Sequence, residues 1–389
     1  MSRLFFLNAV DFWTAGALSL LVSVAIVCTR HLHLERTSRG HAGLEVQSVH
    51  TAPTPRIGGV ALMLGLTAAA FHAPGESARY LWIILLSCIP VFGAGLMEDV
   101  NIGASPRTRL FAAMTGSALM IAMTGEQISA VGVPGIDALV AYWPVAVLFT
   151  VFATAGVSHA FNLVDGLNGL AMGIGLVAAS ALGIIAVGMN DMVMATIAAA
   201  LVLCVAGVFV VNYPFGRLFL GDAGAYTLGH LIAWIAVLLM ARNPALSPWA
   251  ILMAAFWPVM DTGAAVLRRI ANRTPASAPD RMHFHHVVMR LILAGGASQH
   301  RLMVANSLAT ALMLPLFVAP GILAILTATN NALAFLAFSF CVVVYVAIRF
   351  GLVRSFRAIK RRLTLLRQAL PLPHAPRATP ERGKESASR

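Results

Sequence analysis

A chain of 389 residues in which 59% are hydrophobic and only 11% charged cannot clothe a water-facing globule, since soluble domains carry about a quarter charged residues. The composition excludes a soluble enzyme and points to a polytopic integral membrane protein. The formal charge of +12 is then a topology signal rather than a footprint for nucleic acid, and no nucleic-acid partner is expected.

Crossing a ~30 Å hydrocarbon core takes roughly 17–25 apolar residues, and backbone groups there must be satisfied within the segment, which selects helices. Met1 to Asn8 leads into the first apolar run without a small-residue cleavage site, so the first helix is expected to be retained. Apolar segments follow near 11–29, 57–73, 80–97, 110–124, 143–161, 169–189, 192–212, 223–241, 247–267, 302–327 and 331–350. The expected fold is an all-α bundle of about ten or eleven transmembrane helices over residues 1–351. A basic, partly disordered cytoplasmic tail follows over 352–389; its Arg354, Arg357, Lys360, Arg361 and Leu363 are expected to lie on anionic headgroups. Cys28, Cys88, Cys204 and Cys341 fall in or at the ends of apolar runs, with no CxxC pair, and are expected as buried free thiols.

Loops 30–56, 97–109, 213–222 and 268–301, with the tail from Arg349, hold 24 of the 27 Lys and Arg residues, leaving Arg3, Arg79 and Arg242 on the other side. The positive-inside rule makes the crowded side cytoplasmic. With eleven spans the N-terminus is outside and the C-terminus cytoplasmic.

Ionisable residues near membrane depth mark function by default. Glu98 and Asp99 end the third span, Asp165 follows the fifth, Asp222 precedes the eighth and Asp261 lies near the inner end of the ninth. On this topology all five approach one face. Carboxylates gathered under a low-dielectric roof repel one another unless a cation or protons neutralise them, and oxygen-only ligands select a hard ion, Mg²⁺ or Mn²⁺. The same face carries Arg107, Arg109, Arg217, Arg268, Arg269, Arg281, His283, His285 and His286. A hard cation ringed by Arg and His suits pyrophosphate chemistry. Each element also has a structural reading. Glu98 and Asp99 can form a solvated helix end. Asp165, Asn162, Asn168 and Asp222 can cap helices. Asp261 is expected to pair with Arg268 or Arg269, and HFHH can be a metal site or plain surface. The glycines at 58, 59, 166, 169, 221 and 224 can serve ligand approach or helix packing.

Five segments taken in order, TPRIGG (54–59), EDVNIGASPRTRL (98–110), NLVDGLNGL (162–170), GDAGA (221–225) and DRMHFHH (280–286), resemble the polyprenyl-phosphate N-acetylhexosamine-1-phosphate transferases. The similarity runs over roughly residues 1–351, and the eleven-span pattern is similar to the branch that starts O-antigen and related surface glycans. The resemblance implies a bacterial inner-membrane enzyme with a cytoplasmic site. Its reaction is Mg²⁺-dependent transfer of a sugar 1-phosphate from a UDP-N-acetyl sugar to a polyprenyl phosphate, releasing UMP. It further implies Asp222 and Asn162 as metal ligands, Asp99 as the residue that deprotonates or orients the lipid phosphate, and Glu98 in place of the family's first Asp. Asp165 and Asn168 (Asn where many members have Asp) would meet the nucleotide sugar. His283, His285 and His286, with Arg109 and Arg281, would contact phosphate and sugar. A homodimer is left open, as is a two-step route through an aspartyl-phosphate beside direct in-line attack. The alternative from another class is a secondary transporter with an intramembrane ion site, which predicts acids at mid-membrane and internal repeats.

Overall fold

The computed structural model describes residues 2–38, 53–274, 282–295 and 299–369; among them every regular element is helical. The elements are α1 (Ser2–Cys28), α2 (Arg30–Thr37), α3 (Gly58–His72), α4 (Gly75–Asp99), α5 (Pro106–Thr124), α6 (Ile136–Val140), α7 (Trp143–Val164) and α8 (Leu170–Gly188). They continue with α9 (Met192–Asn212), α10 (Gly221–Arg242), α11 (Pro248–Ala254), α12 (Phe256–Ala271), α13 (Phe284–Ile292), α14 (Gln299–Leu326) and α15 (Asn331–Ala369).

Seven of these helices are long and apolar enough to cross a membrane, or nine if each bent pair counts as one span. The all-helical membrane bundle of the sequence reading is thus observed, with three of its apolar segments differing in detail from single long helices. The segment at 57–73 is a helix of only 15 residues, and α5, which begins with Arg107 and Arg109, is not among the seven. The segment at 247–267 is two helices that meet at 87°. The break follows from Pro258, which has no N–H to give Ala254 and whose ring crowds that carbonyl. A second bend of 88° separates α1 from α2. At the other extreme α15 passes residue 351 unbroken and runs to Ala369.

The bundle is organised on α10, which is buried along nearly its whole length and packs against α3, α4 and α7. Between helices in lipid, burial of apolar surface gives no drive, and close backbone approach takes its place. A Cβ on Gly59 would stand 2.5 Å from the Gly224 nitrogen, and one on Gly95 2.5 Å from the Ala223 Cα. Gly59, Gly95 and Gly224 thus serve helix packing and bring α3 and α4 onto the first turn of α10.

Two polar ends result. At one, Arg242 bonds Asp191 and Glu76, and Asn331 bonds Ser247. At the other lie Arg56, Asp99, Asp222 and the start of α5. The cysteines are free as expected; Cys88, Cys204 and Cys341 are buried, but Cys28, at the end of α1, is exposed.

Candidate active site

The turn before α10 needs glycine: Gly221 has φ +78, and a Cβ there would come within 1.8 Å of the Arg56 carbonyl oxygen. This close crossing sets Arg56 and Asp222 side by side. The first N–H groups of a helix lack partners and carry partial positive charge. Asp99, 2% exposed at the end of α4, supplies them: its Oδ1 accepts the Asp222 N–H and its Oδ2 the Ala223 N–H, both at 2.8 Å. Glu98 turns back on its own chain, its Oε2 accepting the Ala104 N–H at 3.0 Å across a turn in which Asn101 and Gly103 have positive φ. That turn delivers Ser105, whose hydroxyl caps α5 by accepting the Thr108 N–H, with Pro106 in the first turn. Arg109 is thereby placed one turn into α5.

Asp222 lies between two guanidiniums, Arg56 Nη2 at 3.3 Å on Oδ1 and Arg109 Nη1 on Oδ2. Arg56 Nε also stands 3.8 Å from Asp99, and Arg109 lies over the Tyr226 ring, 5.9 Å from its centroid. Asp165, just past α7, joins this group. Burial, reinforced by Asp222 and opposed by Arg56, pushes its carboxyl up to about 7. Asn162 is partly exposed one turn earlier.

The histidine segment, His283 at the start of α13 and His285 and His286 in its first turn, closes the site from a further direction. A Cβ at Gly166 would lie 2.6 Å from His285 Nε2, so this glycine is what lets the segment dock beside Asp165. His285 is 1% exposed, and neither ring nitrogen has a hydrogen-bond partner. Burial above all, then the neighbouring His286, hold it well below the usual histidine range, so the ring is neutral. His286 tilts on His285 with centroids 4.2 Å apart, and His283 stacks on it at 5.7 Å.

Asp99, Asp165, Asp222, Arg109 and the histidines are thus assembled from separate segments. Asn168 is built in differently. It is 1% exposed, its Nδ2 donates to Pro214 O at 2.8 Å, and its backbone is held by Asn306 and Thr310 of α14. Asp261 does not pair with Arg268 or Arg269; its partners are His283, Phe284 N–H, Tyr345 and Arg349. Arg281 lies outside the described residues. Sequence reasoning missed Arg56, although it sits inside the TPRIGG segment, because the glycines drew the reading there. It also missed Tyr345 and Arg349, since a basic residue at the end of the last span looks like any other topology charge.

No group of three His, Cys, Asp or Glu side chains able to hold a metal forms among the described residues. Asp222 with the Asn162 amide offers oxygen donors of the kind that Mg²⁺ takes. That ion takes one or two carboxylates, keeps several waters and completes its shell with substrate phosphate.

Residues 81–240, which include Asp99, Asp165 and Asp222, match the glycosyl transferase family 4 model. A decaprenyl-phosphate N-acetylglucosaminephosphotransferase of Mycobacterium leprae is 30% identical over 277 residues, covering 63% of this chain and 69% of that relative. A probable undecaprenyl-phosphate N-acetylglucosaminyl 1-phosphate transferase of Bacillus subtilis is 28% identical over 244 residues, 62% and 68% of the two chains. In Escherichia coli O157:H7, an undecaprenyl-phosphate alpha-N-acetylglucosaminyl 1-phosphate transferase is 25% identical over 374 residues, 90% of this chain and 96% of its own. With its motifs drawn together at one end of a helical bundle and these relatives beside it, the chain belongs to glycosyl transferase family 4.

Proposed function

We propose that this protein transfers an N-acetylhexosamine 1-phosphate from a UDP-sugar to a polyprenyl phosphate, giving the polyprenyl-pyrophosphoryl sugar and UMP, as the first step of a cell-surface glycan. The observation that carries this reading is Asp222 clasped by Arg56 and Arg109 beside the half-buried Asp165. Two carboxylates and two guanidiniums at one end of a membrane bundle match a metal-bound diphosphate meeting a lipid acceptor. A transporter's ion site would sit at mid-membrane instead. We place this end at the cytoplasmic face of the bacterial inner membrane, because the basic residues crowd that side.

Asp222 and Asn162 would hold Mg²⁺, with Asp165 beside them. The bound ion supplies charge neutralisation across the diphosphate. With substrate present, Arg56 and Arg109 move from Asp222 to the diphosphate oxygens, where paired N–H donors stabilise charge that grows in the transition state. Asp165, with its near-neutral carboxyl, accepts the last proton of the lipid phosphate, whose own second pKa is about 6. Asp99 and Glu98 keep their oxygens on backbone N–H groups; they act by fixing Asp222 and Arg109. The attack is direct and in line, so catalysis is chiefly positioning and electrostatics.

The test is incubation of purified protein with UDP-N-acetylglucosamine, undecaprenyl phosphate and Mg²⁺, with UMP as the readout and a panel of UDP-N-acetyl sugars to find the donor. No UMP from any of them removes the proposal. UMP released without lipid would contradict direct attack.

A further inference from the structure

Asp261 has no part in the chemistry above, yet it is fully buried and collects four donors. They are His283 Nδ1 at 2.8 Å, the Phe284 N–H at 3.1 Å, the Tyr345 hydroxyl at 3.1 Å and Arg349 Nη1 at 3.5 Å. Arg349 also donates through Nη2 to the Met282 carbonyl at 2.6 Å. The last helix thus grips both the carboxylate and the histidine segment. An ionised carboxylate only accepts, so its contact with Nδ1 puts the hydrogen on that nitrogen. The other nitrogen of His283 is then the one left for a ligand, and the His283 ring stacks on His285, which abuts Gly166 beside Asp165.

We propose that Asp261 is a positioning residue acting through His283: held by Tyr345 and Arg349, it fixes the ring and its tautomer so that Nε2 meets the substrate diphosphate. The inference rests on the transferase reading. Carboxylate–histidine pairs of this kind serve elsewhere to orient an imidazole, and loss of the orienting group costs roughly 10–100-fold in activity.

The experiment is a double-mutant cycle on UMP release in the full chain, with kcat and KM for UDP-N-acetylglucosamine measured separately. Asp261→Asn keeps size and can still accept from Tyr345. His283→Asn keeps an N–H toward Asp261 but deletes Nε2, so the carboxylate stays partnered. Asp261→Asn should lower kcat roughly 10–100-fold with KM little changed, and should cost under about twofold more in the His283→Asn background. Tyr345→Phe, which leaves the charge pair intact, should lower kcat a few-fold and show the same non-additivity. A merely structural Asp261 would give an equal loss in both backgrounds, or a lower melting temperature at unchanged kcat, and either result overturns the proposal. Silence of the unsubstituted enzyme with every UDP-N-acetyl sugar of the panel would remove the transferase reading itself, and this inference with it.

Discussion

The two ends of the bundle handle buried charge in opposite ways. At the Asp191 end the accounts of charge and hydrogen bonding close. Asp191 Oδ1 caps α9 through the Met194 N–H, while its Oδ2 takes Arg242 Nε and Asn243 Nδ2. Burial alone would raise this carboxyl, but those hydrogen bonds outweigh it and hold the group below its ordinary range. At the Asp222 end Asp165 is pushed upward and His285 has two partnerless nitrogens. A structural ion pair is satisfied in the empty protein; a site keeps demands that only its ligands meet.

Four experiments can break this contrast, and the largest effect is at Asp222. Asp222→Ala, or removal of divalent metal with a chelator, should lower UMP release by about 10³-fold or more; full activity in either would overturn the metal assignment.

Asp165→Asn should cost about 10²-fold in UMP release and yet stabilise the empty protein. The folded carboxyl keeps its proton up to about 7, whereas the unfolded one loses it near 3.9. The folded state therefore binds more protons between those values, and stability falls as pH rises through that window. Without Mg²⁺ at pH 8, the variant should melt roughly 2–4 °C higher than the parent. At the opposite end the signs reverse. Asp191→Asn should lose about 1–2 kcal/mol of stability, seen as a lower melting temperature, with kcat within about twofold.

The smallest effect concerns His285. Its neutral ring is favoured in the fold, while the unfolded chain protonates it near 6.5, so stability present above that pH is lost as the pH falls below it. In the Asp165→Asn background, which removes the opposing slope, the melting temperature should decline from pH 6.5 to 5. His285→Asn should flatten that decline.

The sequence made the gathering of acids visible because each motif sits where an apolar run ends, and alternation of spans sends all those ends to one side. It could not reveal what each oxygen would touch. Asp99 meets N–H groups more than 120 residues away in sequence, and Asp261 meets a histidine 22 positions on and a helix 84 positions on. Nothing in the local pattern encodes such pairings, which is why nearby Arg268 and Arg269 looked like the partners. The break at Ala255 was hidden differently: hydropathy averages over some twenty residues, while one proline interrupts the backbone ladder. The motif that places Asn168 next to Asp165 likewise gives no sign that α14 holds its backbone and that its amide donates to Pro214 O.

The capping of α10 by Asp99 has a consequence for what the pocket admits. Helix beginnings are common landing places for bare phosphate, but here a protein carboxylate already occupies that berth. An anion arriving there finds no backbone cradle and must take its donors from the side chains of Arg56 and Arg109. One resident acid thus takes the backbone out of phosphate recognition at this end and leaves it to side chains.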